Sequence, residues 1–203
     1  YSSAASDVYK RQPLHTVDIN DAGLRSSVQN GILNTELGIP FRTPAEGHNV
    51  AFTSLWDNYP DSLEIPLKGK ASRAYLLMAG STNHMQCHID NGVIRIYYKD
   101  GTRDVMFLRN PDNWPPIEHI FFEDGLAFNR HTPALYRLRL KTGEISNNFG
   151  EELGFPGASR ELDGGAAVLL EMPLNPGKKL SHLVLETLSN DVVIGLMSIT
   201  LQR

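Results

Sequence analysis

Residues 49–80, NVAFTSLWDNYPDSLEIPLKGKASRAYLLMAG, decide how this chain is read. Residues 50–54 alternate briefly between apolar and polar, as a half-buried strand does. The pattern breaks at Trp56-Asp57-Asn58-Tyr59-Pro60 and resumes as Leu63-Glu64-Ile65-Pro66-Leu67, whose proline marks an edge strand or a bulge. After a turn at Lys68-Gly69-Lys70 comes the continuous apolar run 74–79. Helix propensity alone would allow a helix there. The run is too short for one, and Gly80-Ser81-Thr82-Asn83 follows at once, so a buried strand is predicted.

The pattern holds downstream. Asn91-Gly92 reads as a turn into Val93-Ile94-Arg95-Ile96-Tyr97-Tyr98, and Asp100-Gly101 as a tight hairpin turn into 102–108, with positive φ at both central residues. Asn110-Pro111-Asp112-Asn113-Trp114-Pro115-Pro116 is irregular, since its prolines remove donors and restrict their predecessors. Strands are expected at 117–122, 135–140, 166–172, 180–187 and 192–201, and 142–163 reads as a long polar excursion. Upstream the signal is weaker. Val17-Asp18-Ile19 suggests a short strand, Asn20-Asp21-Ala22-Gly23 and Asn30-Gly31 suggest turns, and Gly38-Ile39-Pro40-Phe41 an edge strand.

Roughly nine to eleven strands, with turn signals every ~8–12 residues and few or no long helices, predict an all-β antiparallel β-sandwich of the jelly-roll or galactose-binding-like kind. It is expected to occupy 13–203 as a single domain. Residues 1–12, YSSAASDVYKRQ, lack apolar periodicity and resemble a sequencing-adapter translation artefact, so they are set aside as a disordered or artefactual leader. The chain starts with Tyr, and a fragment of something longer is expected.

The 203 residues carry a net charge of -4, with 41% hydrophobic and 21% charged residues, the composition of an ordinary globular protein. Lysines and arginines are scattered, so no nucleic-acid partner is expected. No apolar run approaches the ~20 residues of a membrane helix, so no membrane insertion is expected. Cys87, the single cysteine, excludes an intrachain disulfide.

The chemistry is sparse. His84 and His88 stand four apart with Cys87 between them, a ligand spacing on a helix. They fall in a segment between two strands, so they read as loop histidines, and no metal or cofactor is assigned. No nucleophile elbow or phosphate loop occurs, and no catalytic residue is assigned. Sugar recognition asks for less: a ring face to stack on and amides or acids to meet hydroxyls. Trp56, Asp57, Asn58, Tyr59, Asn113, Trp114 and Glu118 are the candidate ligand-binding residues. The alternative is that both tryptophans are buried plugs with their N–H groups bonded to backbone.

SLWDNYPDSLEIPLKGKASRAYLLMAGSTNHMQ (54–86), NGVIRIYYKDGT (91–102), LRNPDNWPPIEH (108–119) and NDVVIGLMSITL (190–201) resemble the C-terminal β-sandwich of large glycoside-hydrolase-like proteins from polysaccharide-degrading bacteria. The resemblance spans about 17–201. It departs at Trp114-Pro115-Pro116, where a second aromatic is expected in relatives. It implies a periplasmic or extracellular protein and an upstream catalytic domain of the same polypeptide as partner. The expected function is a non-catalytic accessory module that binds glycan or docks that catalytic domain. The alternatives are a glycoside hydrolase using loop carboxylates such as Asp57 and Glu118, or a purely structural domain.

Overall fold

The apolar run at 74–79 becomes the spine of the molecule. In the computed structural model, which describes residues 18–121, 129–149 and 159–203, β6 (Arg73–Thr82) lies between two long neighbours. It sits inside a six-stranded sheet whose order is β11 (Ile145–Ser146), β10 (Arg137–Arg139), β13 (Ala166–Pro173), β6, β15 (Val192–Gln202), β4 (Ala51–Ser54). A four-stranded sheet, in the order β5 (Ser62–Pro66), β14 (Leu180–Thr187), β7 (Asp90–Tyr98), β8 (Arg103–Arg109), packs on one face of it. The strand pairings within both sheets are antiparallel, and the fold is an all-β sandwich.

Both faces of β6 are covered, which is why its sequence is a continuous apolar run rather than an alternation. Leu76 and Met78 point to the four-stranded sheet and meet Ile94, Ile96, Leu183 and Leu185. Leu77 and Ala79 point the other way and pack with Leu24, Leu33 and Phe41. Those residues come from the helix α1 (Ala22–Ser26) and from a small sheet of β1 (Val28–Gln29), β2 (Ile32–Asn34) and β3 (Pro40–Arg42). Full burial of each leucine, isoleucine, methionine or phenylalanine among them contributes about 1.5–3 kcal/mol. The four-stranded sheet has one open face, so β14 and β8 keep the alternation that β6 lacks.

Several local expectations change. Asn91-Gly92 is not a turn: both residues lie inside β7, and a Cβ on Gly92 would sit 2.2 Å from Ile194 Cδ1 and 2.9 Å from the Glu186 carbonyl. The glycine is there for close approach of its neighbours. The Asp100-Gly101 hairpin forms, but among its loop residues only Gly101 takes positive φ (85°). The bonds from Gly101 N to Tyr98 O and from Tyr98 N to Thr102 O make it a three-residue loop closed by a left-handed glycine. Asn30 and Gly31 do both take positive φ, and they join β1 to β2. Residues 22–26 form a short helix where only a turn was expected.

The remaining strands fall close to the reading. β5 and β3 are edge strands, as Pro66 and Pro40 require. Within the strand expected at 117–122, whose last residue lies outside the described residues, β9 (His119–Phe121) starts two residues later and pairs with β12 (Ser159–Glu161), a strand inside the expected polar excursion. Ile19 makes only an isolated bridge, to Gly164, and the leader 1–12 lies outside the described residues. Among the described residues no helix is long and apolar enough to cross a membrane.

Candidate metal centre

β6 and β7 are joined by the loop 83–89, and a buried amide holds that loop in shape. Asn91, 0% exposed, donates through Nδ2 to the carbonyls of Gln86 (3.1 Å) and Ile89 (3.2 Å) and accepts from Thr82 Oγ1 at 2.6 Å. Asn83 starts the loop with an Asx turn, its Oδ1 accepting from Met85 N at 2.9 Å. Between these anchors the chain presents His84, half-buried, with the Cys87 thiol donating to the His84 carbonyl at 2.8 Å.

The opposing wall is the segment 114–119. Trp114 fills the sandwich core, and its ring lies on Gly80, where a Cβ would come within 2.8 Å of Cζ2. Any side chain at residue 80 would displace that ring. Ile117 N then bonds the Gly80 carbonyl at 2.8 Å, which carries Glu118 and His119 to the end of β6. The buried Arg137 guanidinium braces them from behind. It donates to the carbonyls of His119 (2.5 Å), Pro116 (2.8 Å), Ala166 (3.0 Å) and Ile117 (3.3 Å). Four carbonyls fixed by one side chain leave the backbone on either side of Glu118 little freedom.

Two imidazoles and a carboxylate meet here. His84 Nε2 stands 3.2 Å from His119 Nδ1, and one ligand atom from each of His84, Glu118 and His119 lies within 4.8 Å of the others. Ligands about 2.0–2.1 Å from a tetrahedral ion stand roughly 3.3 Å apart. The 3.2 Å separation fits that value, and it also suits an N–H···N hydrogen bond. Glu118 is 2% exposed and accepts from Ser81 Oγ at 3.0 Å. Burial pushes its pKa up to about 7, against the opposing pull of its hydrogen bonds and of Arg137. The same burial lowers Arg137 to about 10 despite Glu118, and holds the His84 imidazole below its ordinary value. A neutral imidazole is the form a metal binds, and a cation would favour the ionised carboxylate that burial alone disfavours.

The predicted ligand-binding residues separate. Trp56 and Tyr59 are half-buried, and Asp57 and Asn58 are exposed. Tyr59 sets its ring edge-on to Phe52 at 6.3 Å. Asn113 spends its amide on the loop itself, accepting from Arg109 N at 2.7 Å and donating to the Phe107 carbonyl at 2.9 Å. Trp114 is 0% exposed, so neither ring face is open to a ligand, and its Nε1–H finds no acceptor among the described residues. Of the set, Glu118 alone enters the His cluster. The two tryptophan-bearing loops nonetheless leave the same end of the sandwich: Ser54 pairs with Val193 and Thr82 with Val192, and the loop that follows Thr82 returns at Asp90, which pairs with Arg109 where the second tryptophan segment begins.

By spacing alone His84 goes with its neighbour His88. The pairing that matters joins His84 to His119, thirty-five residues on. The Glu118-His119 dipeptide following a proline-rich break was the one available hint. Compared with family models, with curated proteins and with solved structures, the chain matches none of them.

Proposed function

We propose that this chain is a cation-binding β-sandwich module, with a divalent first-row metal ion held by His84, Glu118 and His119. The observation that carries the proposal is the approach of His84 Nε2 to His119 Nδ1 beside a carboxylate buried at 2% exposure. Two imidazoles and one carboxylate suit zinc or its neighbours in the first row better than calcium or magnesium. The ion would tie the loop 83–89 to the 114–119 segment. The role favoured for it is structural support of this end of a non-catalytic accessory module.

Metal removal and return test it. After dialysis against a chelator, Zn²⁺ at 100 times its dissociation constant stabilises the fold by about 2.7 kcal/mol. For a chain of this size that raises Tm by roughly 5–10 °C. His84→Ala lies in a loop and leaves the fold intact while removing this site's part of the shift, and Glu118→Gln does the same. An undiminished Zn²⁺ shift in both variants would remove the site.

A second reading, glycan binding or domain docking, draws support from the exposed Asp57 and Asn58 flanked by half-exposed Trp56 and Tyr59. Sugar hydroxyls would pair with the acid and amide, and a ring face would stack on the indole. Retardation on a polysaccharide affinity gel, lost in Trp56→Ala, is the expected result. Equal migration of both proteins on every gel would leave docking.

A further inference from the structure

We infer that the chain carries a second, more exposed cation site formed by His88, Asp112 and His131, separate from the buried one. One ligand atom from each of these residues lies within 4.8 Å of the others. The imidazole centroids are 4.8 Å apart and tilted by 50°, and each ring addresses a different oxygen of one carboxylate. His88 Nδ1 is 3.9 Å from Asp112 Oδ2, and His131 Nδ1 is 3.4 Å from Asp112 Oδ1. These separations match neighbouring ligands on one ion better than they match tight hydrogen bonds.

The three residues are set in place by their backbones. His88 takes positive φ (57°), a left-handed conformation in which histidine is found more often than most residues other than glycine, and its N–H bonds the Asn110 carbonyl at 2.7 Å. That bond brings the loop 83–89 onto the segment containing Asp112. His131 N in turn donates to Asp112 Oδ1 at 2.7 Å, and Thr132 Oγ1 donates to the Asp112 carbonyl at 2.7 Å. The nearby cation Arg109 bonds Asp90 through Nε at 2.6 Å, although its guanidinium also feels the Asp112 charge. Asp112 is thus turned toward two imidazoles by contacts that leave ligand positions on its oxygens.

The chemistry repeats that of the buried site, two imidazoles and one carboxylate, with His84 and His88 supplied four residues apart by one loop. The exposed set suits an exchangeable first-row divalent ion, since water competes for it and the rings move at low cost. Three strands of chain would be joined by such an ion: the loop 83–89, the segment at Asp112 and the segment at His131.

Titration of the chelator-stripped full chain with Zn²⁺, against a chromophoric competitor, tests this. The wild-type chain is expected to take two equivalents in two affinity classes. His131→Ala and Asp112→Asn each leave one equivalent, of the tighter class, and lower the weaker affinity by at least the roughly 10–100-fold that loss of an outer-shell partner costs. His84→Ala leaves one equivalent of the weaker class. A count of two that survives both His131→Ala and Asp112→Asn overturns the second site. So does a single equivalent lost in His84→Ala and unaffected by His131→Ala. A single equivalent lost in His131→Ala and unaffected by His84→Ala sustains the second site and refutes the buried one.

Discussion

The loop 55–61 and the segment 110–119 have the same ingredients and opposite fates. Each carries one tryptophan, a proline-bearing break, asparagine and two acids, and each leaves the same end of the sandwich. In the first, Trp56 stays half-buried and Asp57 and Asn58 face solvent. In the second, Trp114 is fully buried on Gly80, Asn113 closes the loop on itself, and Glu118 lies sealed beneath the surface with Ser81. The difference lies in what each loop can reach. Residues 114–119 follow β8 across the end of the two sheets, and Gly80 leaves room there for an indole. The loop 55–61 follows β4, the edge strand of its sheet, where the core has ended.

An alanine scan across both loops, followed by chemical denaturation, measures the contrast directly. Trp114→Ala is expected to cost about 3–5 kcal/mol, the range for large aromatics removed from a core. Trp114→Phe should cost distinctly less, because it also removes a buried N–H that has no acceptor among the described residues. Asn113→Ala should cost about 1 kcal/mol through its two loop bonds. Trp56→Ala should fall below about 1 kcal/mol. Equal costs for the two tryptophans would erase the distinction between the loops.

The hairpin at Asp100-Gly101 serves as a control away from the histidine clusters. Tyr98 is pushed up to about 12 from 10.0, first by burial of its hydroxyl and then by its bond to Asp104. Between those values the folded chain keeps a proton that the unfolded chain has lost. Stability is therefore full below pH 10 and falls as the pH rises toward 12. Denaturation midpoints across that range should decline in the wild type and decline less in Tyr98→Phe. Identical slopes would show that Tyr98 is not the group responsible.

Much of the fold was legible because strand signals are local. Alternation in 63–67 marks one buried face, and proline at residues 40 and 66 marks an edge, whatever lies across the core. The unbroken apolar run at 74–79 already implied two covered faces. Asn91-Gly92 misled for a related reason. The dipeptide carries a strong local turn signal, yet a glycine is also required where neighbouring backbone and side chains come within 3 Å, and the sequence does not say which use is meant.

The candidate site belongs to the tertiary structure. By itself the chain determined an antiparallel sandwich, its edges and its Asp100-Gly101 hairpin, since these follow from periodicity and turn chemistry over a few residues. Which tryptophan enters the core, and which histidines meet a carboxylate, depended on contacts between residues far apart in sequence. The cross-sheet register brings the Gly80 carbonyl to Ile117 N, and so Glu118 and His119 to His84. A carboxylate and two imidazoles become a site only when loops of separate strands converge, and that convergence was set by how the two sheets close over Trp114.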